Sequence, residues 1–380
     1  MITKRYILLV LFSAGLLFAS CSRKINARRG GALHAKTDTE WGTGTKAVKV
    51  LYTGCGGLFI SIGNTVLITD PYYTGHALLR LGKRLGGFKP DTNNTRYVLN
   101  KAKAAGIDYA KTTAVLVSHS HYDHLEDLPV MLKRDLINQS AKVIGSPTSK
   151  CILQPFLKQH PFEDPEIKLH HPVSNLEHNS GTWINLDSNT KLLVIRSNHA
   201  PHYYCGIHLM RCDSSMNCCV SPHGTGDDAD LQKTKADNWK EGSTYSFLID
   251  HVQQGDTFRI FIQTSSSQQP YGLPPLELVK QHKINLAVIC MASYKYVNDY
   301  PDVLLKTLNA EKTMIVHWEN FMRAFVKGNV KSVRLTDPKK FYEKLKIIHQ
   351  DTHSGKDATW ETLKPLYKMP NPGVTITVKY

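Results

Sequence analysis

The stretch Val115–His124 constrains this chain more than any other. Val115, Leu116 and Val117 make a short aliphatic run that stops at Ser118, and the residues that follow offer His119, His121, Asp123 and His124. The run reads as a buried strand whose C-terminal end opens into a metal site. Imidazole nitrogens and a carboxylate oxygen suit a borderline ion such as Zn²⁺. Alternate spacing on an extended turn lets His119 and His121 converge while Asp123 and His124 face a second position. A helical pattern starting near Glu126 sets this stretch apart from a surface loop that is merely rich in histidine.

The order His-x-His-x-Asp-His, in this strand-to-loop context, resembles the signature of the metallo-β-lactamase-fold hydrolases. The resemblance covers residues 46–380 and implies an α/β (α+β) fold. That fold is a four-layer αβ/βα sandwich, with two sheets face to face, helices outside, and metals at the strand ends between the sheets.

Lys4 and Arg5 precede an apolar stretch, Ile7–Phe18, which ends in Ala19, Ser20 and Cys21. This pattern reads as a signal peptide over residues 1–20, and the small residues before Cys21 resemble a bacterial lipobox, which implies that Cys21 is lipidated. Residues 21–45 are polar, basic and glycine-containing and read as a tether. The formal charge of +15 raises the question of nucleic acid. However, the basic residues are scattered, with no long run after the tether, so attraction to an anionic membrane through a lipid-anchored, cell-envelope location explains them better. The expected partners are a membrane and a small-molecule or lipid substrate, with no nucleic acid.

Strands are expected near 46–52, 57–63 and 65–70, and the third ends at Asp70, where the resemblance implies a carboxylate hydrogen-bonded to the metal-binding loop. Helices are expected from Asn100 to Gly106, over Glu126–Leu136 and over Pro147–Lys158. A strand over Lys191–Ser197 then delivers Asn198-His199-Ala200-Pro201-His202-Tyr203. The His-x-Pro order at His199 and the Ala-x-His-aromatic order at His202 resemble different branches of the superfamily, so either histidine can be the next ligand. Residues 203–242 read as a long loop insertion. Of the eight cysteines, Cys205, Cys212, Cys218 and Cys219 crowd into it and are expected to form one or two disulfides, whereas Cys55, Cys151 and Cys290 read as core residues. Trp239 is the expected anchor of the loop's return.

The family generally places a metal-bridging aspartate after the strand that here covers Thr257–Gln263. This chain continues Thr264-Ser265-Ser266-Ser267, so Thr264 or Ser265 offers only a hydroxyl beside the ligands. A further strand, Lys312–Val316, ends at His317-Trp318, which resembles the family's His-Trp element and makes His317 the expected last ligand. The resemblance therefore implies a first site of His119, His121 and either His199 or His202, and a second of Asp123, His124 and His317. With the bridge missing, one zinc is expected to be tight and the second weaker, and other divalent ions are possible. The implied activity is zinc-dependent hydrolysis of an ester, phosphodiester or lactone- or lactam-like bond, with a metal-activated water as nucleophile and Asp123 orienting it or taking its proton. A β-lactamase is the enzyme alternative, and a metal-binding envelope protein without hydrolytic activity is the alternative of another class.

Changing Cys21 to Ala is expected to block lipidation and release the protein from membranes. Unchanged membrane partitioning and gel mobility in the variant would remove the anchor.

Overall fold

The computed structural model describes residues 33–77, 87–165, 180–201, 203–204, 207–208, 221, 223, 231–324, 330–333, 336–352 and 358–380. Residues 1–20, Cys21, His202 and the cysteines Cys205, Cys212, Cys218 and Cys219 lie outside the described residues.

Among the described residues, two mixed sheets of eight strands each carry the chain. One has the order β1 (His34–Ala35), β17 (Tyr367–Pro370), β16 (Lys312–Val316), β15 (Leu286–Cys290), β14 (Asp256–Gln263), β13 (Thr244–Gln253), β10 (Thr190–Ser197) and β9 (Ile184–Asn185). The other has the order β2 (Thr39–Trp41), β18 (Thr375–Lys379), β3 (Ala47–Gly54), β4 (Gly57–Ile62), β5 (Thr65–Thr69), β6 (Ala114–Leu116), β7 (Lys142–Ile144) and β8 (Phe162–Glu163). A two-stranded pair, β11 (Tyr203–Tyr204) and β12 (Ile207–His208), stands apart.

Period-two alternation assigns each face of the second sheet. Val48, Val50, Tyr52, Leu58, Ile60, Ile62, Leu67, Ala114 and Leu116 point inward and share one core with Leu192, Val194, Phe247 and Ile249 of the first sheet. The intervening Leu51, Phe59, Val66, Ile68 and Val115 point outward to a separate core. Three helices close that outer core: α1 (Thr92–Ala104), α3 (Leu128–Lys133) and α4 (Pro147–Leu157), through Val98, Leu99, Met131, Leu132, Ile152 and Phe156. On the far side, α6 (Asp302–Leu308) and α7 (Pro338–Thr352) pack Leu304, Leu308, Phe341, Leu345 and Ile348 onto the first sheet. The result is the four-layer α/β sandwich that the sequence suggests.

Strand direction fixes where the chemistry can sit. β3 and β5 are both antiparallel to β4, and β5 is parallel to β6, so β3, β5 and β6 run the same way. In the first sheet β10 and β14 are both antiparallel to β13, and β14, β15 and β16 are parallel, so β10, β14 and β16 also share a direction. The C-terminal ends of these strands lead directly to Cys55, Asp70, His119, His199, Thr264 and His317.

Some boundaries differ from expectation. Of the expected tether over 21–45, the described part from Leu33 is folded: Leu33 is buried, and His34–Ala35 and Thr39–Trp41 add parallel edge strands to the two sheets. These pieces are too short to show periodicity, and only pairing with distant strands orders them. The helix expected from Asn100 begins at Thr92, capped by Asp91, whose side chain accepts from Asn93 N. The helix expected over Glu126–Leu136 is shorter, α3 at Leu128–Lys133 with Pro129 in its first turn, and a separate single turn, α2 (Tyr122–Leu125), precedes it.

Asp127, between α2 and α3, explains that break. Its buried carboxylate accepts from Tyr73 N at 2.7 Å, Thr74 N at 3.1 Å, Thr74 Oγ1 at 2.9 Å and Thr95 Oγ1 at 3.0 Å, which ties the segment after β5 to α1. Burial, outweighing these hydrogen bonds, pushes its carboxyl up to about 6. A carboxyl raised in the folded state holds an extra proton there between its unfolded and folded pKa values. The stability it contributes is therefore full below about 4 and is lost as the pH rises through about 6.

Asp127→Ala leaves two buried amides without an acceptor, at about 1–3 kcal/mol each. Urea unfolding is expected to show a loss of about 3 kcal/mol or more, and to lose this pH slope. A change within about 0.5 kcal/mol, the size of an ordinary surface substitution, would show that the latch does not matter.

Candidate metal centre

β6 stops at Leu116, and the chain then runs without regular structure to the short helix α2, which carries Asp123 and His124 in its single turn. Ligand atoms of His119, His121 and His199 lie within 4.8 Å of one another, and so do those of Asp123, His124 and His317. The two groups adjoin: the rings of His119 and His124 are 3.9 Å apart between centroids, and those of His124 and His317 are 5.2 Å apart. Of the two histidines that compete after β10, His199 joins His119 and His121, with ring centroids 4.8 and 4.7 Å away. His202 lies outside the described residues.

Asp70 orders both groups from behind. Fully buried at the end of β5, it accepts from Ser118 N at 2.7 Å through Oδ1. Through Oδ2 it accepts from Ser118 Oγ at 2.6 Å, His124 Nδ1 at 2.8 Å and Thr264 Oγ1 at 2.7 Å. The bond to His124 puts the proton on Nδ1 and turns the Nε2 lone pair toward Asp123, whose Oδ2 is 3.9 Å away. Ser118 spends its only hydroxyl proton on Asp70, so its Oγ accepts from His119 Nδ1 at 3.1 Å, which leaves the lone pair of His119 on Nε2. His199 is set the same way, its Nδ1 donating to the Ala200 carbonyl at 2.7 Å. Gly56 is what admits Asp70 to this position, because a Cβ there would stand 2.2 Å from Asp70 Oδ2.

The strand end without a carboxylate has other work. Thr264 serves Asp70, and Ser265 Oγ accepts from Ala200 N at 3.4 Å while Ser267 Oγ accepts from Asn198 N at 2.8 Å, steadying the chain on both sides of His199. Ser265 thus holds backbone, not a ligand ring.

Behind His317 lies a network that the sequence reading missed. His317 N donates to Tyr52 OH at 2.7 Å, Tyr52 OH donates to Glu319 Oε2, and Cys55 N donates to Glu319 Oε1 at 2.6 Å. Cys55, read from the sequence as a core residue, offers a ligand atom within 4.8 Å of His317 and Glu319. A cysteine set among Gly54, Gly56 and Gly57 at a hairpin, together with a glutamate two residues after His317, is the signal available in the sequence. His76 and Glu126 form a further buried pair, 2.7 Å apart, on the α2 side.

Protonation follows from these contacts. Burial, then the neighbouring rings of His124, His199, His121 and His317, holds His119 well below the ordinary histidine range. Burial and the rings of His124 and His199 do the same to His317. Burial also opposes charge on His124, but Asp70, through its charge and hydrogen bond, outweighs it and lifts the ring above its ordinary value. A carboxylate that raises the basicity of an imidazole makes it a better metal ligand. His119 Nε2 and His317 Nδ1 are buried nitrogens with no hydrogen-bond partner among the described residues. A neutral His119 whose lone-pair nitrogen is oriented, buried and unpartnered, together with the neighbouring histidines and the Asp123 carboxylate, makes a donor set that fits divalent ions.

No family model matches the chain, and none of the curated proteins matches it. Solved structures of similar fold include a metallo hydrolase from the hyperthermophilic archaeon Ignicoccus hospitalis, with a TM-score of 0.46 and 14% identity over 88% of this chain and 100% of that one. A metallo-β-lactamase-fold protein from Bacillus subtilis gives 0.42 and 11%, over 87% of this chain and 100% of that one. A diiron β-hydroxylase from Streptomyces venezuelae gives 0.41 and 10%, over 89% of this chain and 55% of that one.

Because Asp70 serves His124 directly and His119 through Ser118, Asp70→Asn is expected to weaken zinc binding at both groups by about 10- to 100-fold. Ser118→Ala should weaken mainly the group of His119. Competition titration with a chromophoric chelator distinguishes the two patterns, and unaltered binding in Asp70→Asn would remove Asp70 from this role.

Proposed function

We propose that this protein is a metal-dependent hydrolase of the metallo-β-lactamase superfamily, acting on an ester, phosphodiester or lactone- or lactam-like bond. The observation that carries the reading is the pair of adjoining groups, His119/His121/His199 and Asp123/His124/His317, each supplying three ligand atoms within 4.8 Å. Three protein ligands per ion leave a position for water or substrate, the mark of catalytic as opposed to structural sites. Zinc suits the donors, with other divalent ions possible. Divalent ions held there supply Lewis acidity, which polarises a carbonyl or phosphoryl oxygen and strengthens a water as a nucleophile near neutral pH.

The chain's own residues do the rest. The hydrogen bonds of Asp70, Ser118 and the Ala200 carbonyl hold His124, His119 and His199 in the tautomers that present lone pairs to the site. Asp123, whose Oδ2 is 3.8 Å from His317 Nε2, would orient the attacking water and accept its proton. An envelope location with a lipid anchor at Cys21, and a small-molecule or lipid substrate, complete the reading. They rest on the leader-like sequence and the basic charge.

Purified protein is expected to hydrolyse a nitrophenyl phosphodiester or ester, to lose this activity to a chelator and to regain it with zinc. His121→Ala should remove the first ion, His317→Ala mainly the second, and either should lower the rate by about 100-fold or more. Full metal occupancy with no hydrolysis of any of these bond types would make it a binding protein; no metal bound would overturn the ligand set.

A further inference from the structure

We propose that Cys55 is a metal ligand, its thiolate joining His317 at the second position. The inference rests on the metal-dependent reading above and extends it to a residue outside the two histidine groups. Because β3 runs in the same direction as β5, the turn between β3 and β4 comes to the edge where Asp70 and the motif loop meet. Cys55 stands at that turn, fully buried, and its sulfur lies within 4.8 Å of ligand atoms of His317 and Glu319. His317 belongs to both this group and the group of Asp123 and His124. It is nine-tenths buried, and its Nδ1 has no hydrogen-bond partner among the described residues.

Within the group, Glu319 is already engaged. Tyr52 OH donates to one of its oxygens and Cys55 N to the other, so the carboxylate acts as a brace and the sulfur is the atom left to face an ion. The brace works on both partners: it holds the backbone of Cys55, and through Tyr52 it holds the amide of His317. Cys55 adopts φ 50, a left-handed conformation that glycine takes at less cost. Glycines do occupy positions 54, 56 and 57, so the side chain at 55 is kept against the local preference. Burial, then the carboxylates of Asp123, Glu319 and Asp70, push its thiol well above the ordinary range.

The chemistry matches what the centre lacks. Thr264 and Ser265 bring no charge to the end of β14, and Asp123 is the one anion in its group. A thiolate is a strong zinc donor and adds a second negative charge. Its formation is balanced by release of the sulfur-bound proton to solvent as the metal–sulfur bond forms.

Cobalt(II) titration of the full chain tests this. Two ions are expected to bind, with a sulfur-to-cobalt charge-transfer band in the near ultraviolet developing as the weaker position fills. In Cys55→Ser the band should vanish and the weaker ion loosen by about 10- to 100-fold, the first ion being retained. Binding of two ions without the band, or a band that survives in Cys55→Ser, would overturn the role of Cys55 and leave the hydrolase reading standing. No cobalt bound by the unmodified protein would overturn both. If Cys55→Ser does not fold, X-ray absorption of the zinc-loaded unmodified protein decides: a sulfur neighbour at about 2.3 Å supports the ligand, and nitrogen and oxygen neighbours alone overturn it.

Discussion

One buried carboxylate, that of Asp70, is the constraint from which the organisation of this protein follows. It accepts hydrogen bonds from a backbone amide, two hydroxyls and an imidazole, belonging to residues from both sheets. Burying a charge is costly unless it is paired and hydrogen-bonded, and here the partners that satisfy it are the groups that must be oriented. The donor from Thr264 ties the end of β14 to the end of β5, so the fold's two halves are joined through the same oxygen that sets the tautomer of His124. Satisfying the charge and aligning the site are a single event.

The backbone around this carboxylate is also under constraint. Asp70, Cys55 and His317 have φ of 40, 50 and 54, all in the left-handed region. Such conformations cost on the order of 1–3 kcal/mol each and persist where the surroundings over-determine them. Each residue sits just past the end of a strand, where the chain must turn sharply if its next side chain is to face the partner sheet and not solvent. The sheets supply the rigidity, and the turns spend some of it to aim donors.

What could be read from the sequence was what is local. His119, His121, Asp123 and His124 fall within one short stretch after a strand, so spacing alone separates them into two pairs, and the strand before His317 announces its end. The choice between His199 and His202 had no local answer, because it depends on where β10 ends relative to a loop in the other sheet. The brace of Tyr52 and Glu319 joins residues 267 apart in sequence. Strand alternation makes Tyr52 look like any other inward-facing core residue, and in its body it is one. Asp91 before Thr92 is a cap signal, but the asparagines after it have weak helix propensity, so the sequence alone starts this helix only at Asn100. The division between α2 and α3 came from Asp127, whose oxygens bind Tyr73 and Thr74 on a segment the helix itself does not contain.

The return of the long insertion is fastened to the site's own framework. Thr234 exchanges two backbone hydrogen bonds with Phe88, and the buried indole of Trp239 donates to Thr234 Oγ1 at 2.9 Å. A few residues later Glu241 O accepts from Ser120 N, and Tyr245 N donates to Ser118 O, within the motif loop itself. The motif loop and the return of the insertion therefore share one hydrogen-bonded frame, so that a change loosening Trp239 or Thr234 reaches the neighbours of His119 through the backbone of Ser118 and Ser120.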